Sequence, residues 1–379
     1  MSLLDLRKEP APPAANDWAA AAQTAPAAGA RSRISSIDLL RGLVMVLMAL
    51  DHTRDFFNAS GVNPRDVTDP ALFLTRWITH YCAPTFIFLA GLSAYLYRAR
   101  GRSTGEVSRF LFTRGFWLIL IEFTVVRLGW TFSLDLTYFF TLVIWALGAS
   151  MVVLAALVYL PRLVIGALGV VMIAGHNLAD GITAQSFRPA GWIWNLLHEP
   201  ALLKSASGVM LFAVYPLIPW VGVMAAGYAV GPVFRLEPEA RRRWLLGLGG
   251  AITAGFVLLR ASNLYGDPVP WTDQGDWSAT ALAFLNCEKY PPSLLYLMMT
   301  LGPALLLLAA FEGVRGRLAD WVITFGRVPF LFYVLHLFWI HVLAIIFAWV
   351  SIGDASWLSG NFPHVKPEGY GTGLLWVYG

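Results

Sequence analysis

Long apolar stretches alternate with short polar connections along almost the whole chain after residue 33. Each stretch is close to the ~20 residues that a helix needs to cross the hydrocarbon core of a bilayer. The predicted spans cover residues 37–57, 78–98, 107–130, 138–160, 162–177, 208–231, 243–261, 292–311 and 328–350. A short apolar segment at 374–378 predicts the start of one more helix that this chain does not complete. We therefore expect an all-α, polytopic transmembrane bundle of about nine to eleven spans.

The first 32 residues differ from the rest of the chain because they are rich in alanine and proline and show no apolar periodicity. This composition is typical of a disordered segment. Residues 1–32 are thus predicted to form a disordered cytoplasmic tail, and residues 33–379 to form a single transmembrane domain.

Arginines predict the orientation of the bundle. They concentrate in the connections that follow the second, fourth, sixth and eighth spans, on the same side as the N-terminal tail. Cytoplasmic connections carry such an excess of Lys and Arg in membrane proteins. The pattern places the N-terminus in the cytoplasm and predicts a multi-pass protein of the inner membrane.

The composition excludes several other classes of protein. Hydrophobic residues make up 57% and charged residues 13% of the chain, and the mean hydropathy is +0.61. The net charge of +4 is explained by loop arginines, and no Lys/Arg tract indicates nucleic-acid binding. No HExxH, HxxxH or paired His/Cys spacing is present, so no metal site is predicted.

A polar stripe on the first span is the most informative pattern in the sequence. Six residues follow one another at intervals of three or four, which places them on one helical face: Asp38, Arg41, Met45, Met48, His52 and Asp55. Charges at membrane depth are costly unless they face protein or water. We expect this face to look into the protein or a wet cavity and to carry function.

Within this stripe, His52 is the candidate general base, with Asp55 at i+3 and Asp51 next to it as carboxylates that could orient the imidazole. A structural polar cluster that fixes helix packing is the alternative. At the other end, Arg41 is expected to pair with Asp38. This pair is either an interfacial ion pair or a grip for an anion such as a phosphate.

Later spans add further polar candidates. His80 precedes Pro84, which removes the backbone hydrogen bond to the carbonyl of residue 80 and predicts a kink with a polar pocket. Glu122 lies in the middle of a span and predicts an ion pair, with Arg127 as one partner. Cys82 and Cys287 both map to the predicted outer side, which leaves a disulfide open.

Ordered motifs give the chain a family resemblance. They are Ser36-Ile-Asp-Leu-Leu-Arg-Gly42 with Asp51-His52, Pro84-Thr-Phe-Ile-Phe-Leu-Ala-Gly91, Tyr215-Pro-Leu-Ile-Pro-Trp220, Lys289-Tyr-Pro-Pro-Ser293, and Arg327-Val-Pro-Phe330 with Tyr333 and His336. Together they resemble the bacterial relatives of heparan-α-glucosaminide N-acetyltransferase, in the wider transmembrane acyltransferase group. The resemblance implies a bundle of about ten or eleven helices that moves an acetyl group from cytosolic acetyl-CoA to a sugar across the membrane.

The sequence departs from the resemblance at the catalytic residue. The lysosomal relative carries its catalytic histidine in the first outer loop, and residues 58–76 contain none. His52 falls where that enzyme has an active-site Asn. The base could therefore be His52 or His80.

These observations predict a membrane O- or N-acyltransferase that uses acetyl-CoA and modifies a saccharide or glycolipid of the cell envelope. His80 and His336 would stabilise the oxyanion or hold the acceptor, and Arg41 with Asp38 and Arg98 would engage CoA. The predicted acceptor contacts are Lys289, Tyr290, Trp220 and Tyr333. The alternative is a transporter or flippase for a sugar or lipid-linked sugar. A homo-oligomer is compatible with either function.

Overall fold

Helices account for most of the residues that the computed structural model describes, which are 34–59, 63–360 and 362–378. The predicted tail at residues 1–32 lies outside this part of the chain. The first half contains α1 (Ser35–Phe57), α2 (Pro70–Thr79), α3 (Cys82–Arg98), α4 (Thr104–Ile121), α5 (Arg127–Thr131), β1 (Tyr138–Thr141), α6 (Val143–Leu157), α7 (Arg162–Gly175), α8 (Gly191–Leu197), β2 (Ala201–Lys204) and β3 (Met210–Ala213). The second half contains α9 (Leu217–Val230), α10 (Pro238–Ser262), α11 (Trp277–Leu285), α12 (Leu294–Ala310), α13 (Arg317–Arg327), α14 (Pro329–Ile352) and α15 (Leu374–Tyr378).

Four helical segments in the described chain are long and apolar enough to cross a membrane. They are Arg162–Ala179, Leu217–Arg235, Pro238–Ser262 and Pro329–Ile352. Two further helices, α6 and α12, are apolar but shorter. Many outward side chains of the four long segments are large and apolar, such as Leu258 on α10 and Val350 on α14. This surface suits a lipid environment, and the protein is a helical membrane protein.

A helix overlaps each of the nine predicted spans, but the predicted spans 138–160 and 208–231 begin with the short strands β1 and β3 instead of helix. Strand β1 pairs in parallel with β3, and β2 pairs antiparallel with β3, which gives the order β1-β3-β2. The β1 segment, Tyr138–Thr141, is rich in aromatic residues, which favour strands. The β3 segment, Met210–Ala213, is a short apolar run, and periodicity alone does not distinguish such a run from a buried helix. The N-terminal orientation stays a prediction.

Helix α13, which was not predicted as an element of its own, lies directly against the first half of α1. A Cβ atom on Gly326 would lie 1.8 Å from the carbonyl oxygen of Asp38, and one on Gly42 would lie 1.9 Å from that of Val322. The two backbones can approach this closely because both positions lack a side chain. On α13, Ile323 faces the core while its polar and exposed residues face away.

A second close crossing joins α3 to α9. A Cβ atom on Gly91 would lie 2.0 Å from the carbonyl oxygen of Met224, and one on Gly227 would lie 2.1 Å from that of Phe88. Small residues that let two backbones touch are typical of helix packing in membranes, where apolar burial does not distinguish protein from lipid. The two crossings hold α1 and α3 in fixed positions in the bundle.

The predicted ion pair of Glu122 is wrong. The Glu122 carboxylate accepts hydrogen bonds from the backbone N–H groups of Leu142, at 3.0 Å, and Trp145, at 3.1 Å, at the start of α6. Arg127 donates instead to the carbonyls of Tyr138 and Ser133. Glu122 opens a π-helical turn between α4 and α5 and satisfies helix-end donors that would otherwise be buried without partners.

The two cysteines do not form the disulfide that the sequence left open. Both thiols are free and buried. The Cys82 thiol donates to the carbonyl of Val44 at 3.3 Å, so it takes part in the packing of α3 against α1.

Candidate active site

The polar stripe of α1 lies almost wholly inside the protein, as predicted. Asp38, Met45, Met48 and His52 are buried, and Asp55 faces a cavity described below. The two methionines are packed between the polar ends of the helix, so this face of α1 is filled with side chains rather than open from one end to the other. The polar groups therefore form two separate clusters, one around Arg41 and one around His52.

At the second cluster, His52 forms a hydrogen bond with His336 of α14. The distance from His52 Nδ1 to His336 Nε2 is 2.8 Å, and the pair is buried. The two rings stack with their centroids 5.0 Å apart and their planes inclined by 11°. The structure thus joins two histidines that the sequence analysis assigned to separate roles.

The backbone fixes which nitrogen of each ring carries a proton. His336 Nδ1 lies 2.8 Å from the carbonyl oxygen of Phe332, which can only accept, so Nδ1 must donate. In a neutral ring, His336 Nε2 is then an acceptor, and His52 Nδ1 must be the donor to it. His52 Nε2 is left with a lone pair and no hydrogen-bond partner among the described residues. This is the form that a general base requires.

Aromatic side chains enclose the His52 ring. Trp130 of α5 lies edge-on, with a centroid distance of 4.8 Å, and Tyr333 of α14 lies at 6.1 Å. Phe332 stacks on His336 at 5.2 Å. These contacts hold the imidazole pair in one orientation, and Tyr333, predicted as an acceptor contact, is placed beside both histidines.

The expected carboxylate partner of His52 is not found among the described residues. Asp51 and Asp55 both accept hydrogen bonds from Arg54, the latter at 2.9 Å. Thr79 donates to Asp51 at 2.9 Å, which links this cluster to the end of α2. The two carboxylates therefore balance the charge of a buried arginine, because an unpaired charge there would be costly. Arg54 has no predicted role, although its i+3 spacing from Asp51 is a sequence signal for this pair.

His80 lies apart from the histidine pair in the turn between α2 and α3. Its ring is fully buried, and neither nitrogen has a hydrogen-bond partner among the described residues. The sequence predicted that Pro84 leaves the backbone carbonyl of His80 without its helical hydrogen bond, and this carbonyl accepts a hydrogen bond from another helix. Tyr296 donates its hydroxyl to the His80 carbonyl at 2.9 Å, so this pocket connects α3 to α12.

Arg41 and Asp38 form the predicted ion pair at 3.1 Å. Arg41 also donates to Ser93 of α3 and to the carbonyl of Gly326 of α13. Arg98, the other predicted CoA contact, donates to the hydroxyl of Tyr228 at 2.9 Å. In this structure each guanidinium group thus forms hydrogen bonds that connect its own helix to neighbouring helices.

The remaining predicted acceptor contacts form another group at the start of α12. The ring of Tyr290 lies 5.3 Å from that of Tyr215, which stacks on Trp220 at 5.5 Å. Trp220 is fully buried, and Lys289 lies over the Tyr290 ring at 5.3 Å. Trp220 is therefore a core residue, while Lys289 and Tyr290 keep partly accessible surfaces.

A cavity of about 520 Å³ opens at the C-terminal end of α1. Its walls carry charged, polar and aromatic groups, among them Arg54, Asp55, Trp130, Phe362, His364 and Lys366. Trp130 contacts both this cavity and the His52 ring. The segment after α14 supplies Phe362, His364 and Lys366, which the sequence analysis did not connect with the site because no spacing rule links them to α1.

Lys366 and His364 are held in partly buried positions. The Lys366 ammonium donates to the carbonyl of Asn58 at 2.7 Å, and burial lowers the pKa of this lysine to about 8. His364 lies with Nε2 2.9 Å from the carbonyl of Trp130, and burial lowers the pKa of its imidazole to about 4. At neutral pH the cavity wall therefore has a largely protonated lysine and a neutral histidine.

The fold and this site define a helical membrane protein with a buried pair of histidines next to a polar cavity. A family model described as heparan-alpha-glucosaminide N-acetyltransferase, catalytic, matches residues 33–259, which is more than half of the chain. The chain belongs to this family of membrane acetyltransferases. The comparison with curated proteins gave no match. The matched region includes α1 and Trp130 but ends before His336. The hydrogen bond from His52 to His336 therefore connects the matched region to the C-terminal part of the chain.

Proposed function

We propose that the protein transfers an acetyl group from acetyl-CoA to a hydroxyl or amine of a saccharide on the extracytoplasmic side of the inner membrane. Members of the family use acetyl-CoA as the donor, which supports this choice. The observation that carries the proposal is the hydrogen bond from His52 Nδ1 to His336 Nε2, because it leaves His52 Nε2 free to accept a proton.

In the proposed reaction the acceptor oxygen or nitrogen attacks the thioester carbonyl while His52 Nε2 removes its proton. A bond forms from the acceptor to the acetyl carbon, and the bond from that carbon to sulfur breaks. The CoA thiolate leaves and takes the proton from His52, so the histidine returns to its starting form. His336 stabilises the cationic imidazole that exists between these steps, because its Nε2 accepts from His52 Nδ1 throughout.

The cavity beside Trp130 is the proposed acceptor site. Its volume lies within the range of about 300–1,000 Å³ that is usual for small-molecule sites. Arg54 and Lys366 offer donors, Asp55 offers acceptors, and Trp130 and Phe362 offer flat apolar faces. Hydroxyl groups and ring faces of a saccharide match this mixture of surfaces. Four residues outside the cavity wall are proposed as further contacts of the acceptor: His80, Lys289, Tyr290 and Tyr333.

The donor is proposed to approach from the opposite end of α1. Arg41 lies 11 residues before His52, which corresponds to about 16 Å along a helix axis. In the proposal, Arg41 and Arg98 exchange part of their present hydrogen bonds for CoA phosphates, with Asp38 positioning Arg41. Met45 and Met48 fill the space between, and their flexible side chains would have to shift to admit the thioester arm.

The test uses purified protein in liposomes with radiolabelled acetyl-CoA. Glucosamine and the envelope glycans of a deletion strain serve as acceptor probes, and both labelled product and free CoA are measured. We expect CoA release to match product formation and to require His52. Uptake of sugar into the liposomes without acetyl transfer or acetyl-CoA hydrolysis would contradict the proposal and support the transporter alternative.

A further inference from the structure

Three side chains that commonly bind metal ions converge outside the candidate active site, where α7 ends. They are His176 and Asp180, from the turns that follow α7, and His198, directly after α8. One ligand atom from each residue lies within 4.8 Å of the other two. His176 and Asp180 are close in the sequence, but a loop and the short helix α8 separate them from His198. The spacing patterns used for the sequence therefore did not reveal this cluster.

His176 places a polar ring in the interior of the protein. Its side chain is only 5% exposed, and neither ring nitrogen has a hydrogen-bond partner among the described residues. A buried polar group left without a partner costs about 1–3 kcal/mol, and a bound ion is one of the few arrangements that offset this cost. The Pro292 carbonyl lies beside this ring and offers an acceptor for one N–H if the other nitrogen binds a metal ion.

Asp180 and His198 form a hydrogen-bonded pair whose atoms are spaced closely enough to bind one ion. The distance from His198 Nε2 to Asp180 Oδ1 is 3.1 Å, close to the ~3.4 Å that separates neighbouring ligands around tetrahedral zinc. The other nitrogen, His198 Nδ1, is buried and has no hydrogen-bond partner in the described part of the chain.

Asn177 orients the aspartate from outside the cluster. Its side-chain amide donates to Asp180 Oδ2 at 2.9 Å, which leaves Oδ1 turned to His198. The side-chain oxygen Oδ1 of Asn177 accepts from the backbone N–H of Leu294 at 2.9 Å, so the cluster is connected to the start of α12. Metal ligands are usually held in this way by a second layer of hydrogen bonds.

We propose that His176, Asp180 and His198 bind a divalent transition-metal ion of the zinc class. Two imidazoles and one carboxylate form a common ligand set for this ion, and Asp180, with 26% of its side chain exposed, provides access from solvent. The ion joins the end of α7 to the loop that leads into β2. This site is separate from His52 and does not depend on the proposed acetyl transfer.

Zinc content of the purified protein, prepared without a polyhistidine tag, tests the proposal. The protein in detergent is stripped with a chelator, incubated with zinc chloride and desalted, and its zinc is measured by mass spectrometry. We expect about one zinc ion per wild-type chain, with zinc raising the thermal unfolding temperature. His176→Gln and His198→Gln should each lose most of the zinc and most of this shift.

Glu199→Gln is the matched control. Glu199 is next to His198, but its carboxylate accepts from the backbone N–H of Ala184 at 2.6 Å rather than joining the cluster. This variant should bind zinc like the wild type. Asp180→Asn alters a partly exposed ligand with little change in shape and serves as the test if the histidine variants fail to fold. Equal zinc content in wild type and Asp180→Asn, or no zinc retained by the wild type, would overturn the proposal.

Discussion

His52 Nδ1 lies 2.8 Å from His336 Nε2, although 284 positions separate the two residues in the chain. One belongs to α1 and the other to α14, so the pair exists only when these helices pack together. The carbonyl of Phe332 fixes the protons of both rings and leaves His52 Nε2 as the free base. The first prediction concerns this pair.

We expect His52→Ala to lower kcat by about 10²–10⁴-fold, because general base catalysis contributes on this scale. His336→Ala should cost about 10–100-fold, as is usual for a residue that orients a functional imidazole. The measurement is acetyl transfer by purified variants of confirmed monodispersity. His80→Phe is the comparison and should stay within about tenfold of wild type. A larger loss in His80→Phe than in His52→Ala would move the base to His80.

The second prediction concerns Glu122, which caps the start of α6 instead of pairing with Arg127. Glu122→Leu should destabilise the protein by about 1–3 kcal/mol, because the N–H groups of Leu142 and Trp145 lose their acceptor. Glu122→Gln retains one acceptor oxygen and should cost less. Thermal unfolding in detergent measures both effects.

A double-mutant cycle separates this cap from the ion pair that the sequence predicted. If Glu122 and Arg127 act independently, the effects of Glu122→Gln and Arg127→Met should add to within about 0.5 kcal/mol. A coupling energy well above that value would restore the direct pair.

The third prediction tests the close crossing of α3 and α9. Gly91→Ala or Gly227→Ala should destabilise the protein by about 1–3 kcal/mol, because the added methyl group would meet a backbone carbonyl at 2.0–2.1 Å. Gly247→Ala on α10 is the matched control, since nothing lies within 4 Å of its Cβ position. That variant should be neutral or stabilising by about 0.5–1 kcal/mol. Equal stability of all three variants would show that the helices can separate at no cost.

The fourth prediction concerns the charge of Lys366. Its pKa is lowered to about 8 in the folded protein, so its amine should react with an amine-directed acylating reagent half-maximally near pH 8. The peptide that contains Lys366 is quantified by mass spectrometry after brief labelling between pH 6.5 and 10. The same peptide labelled after denaturation is the control, and its profile should shift towards the ordinary lysine pKa of 10.5.

The pH dependence of the free energy of unfolding provides a second measurement of the Lys366 pKa. Between pH 8 and 10.5 the unfolded chain holds a proton on Lys366 that the folded chain has lost, so this residue makes the free energy of unfolding rise with pH. Below pH 8 both states are protonated and the residue adds no pH dependence. Lys366→Met should remove the rise in that window. An unchanged slope in Lys366→Met would mean that Lys366 keeps its ordinary pKa.

The sequence by itself determined the helical class, the approximate position of the helices and the buried face of α1. Apolar runs and a three- and four-residue spacing are local properties, so they can be recognised before the chain folds. The ion pair of Arg41 with Asp38 was predictable for the same reason, since both residues lie on one turn of one helix.

Only the tertiary structure decided which polar groups meet. His52 pairs with His336 rather than with the nearby carboxylates, because Arg54 takes both of those and α14 brings an imidazole to the other side. Glu122 caps α6 for a similar reason, since the chain returns to it about 20 residues later. Contacts between distant segments depend on how helices cross, and glycines allow the closest of these crossings. A local sequence pattern does not show which helix will pack against a given glycine.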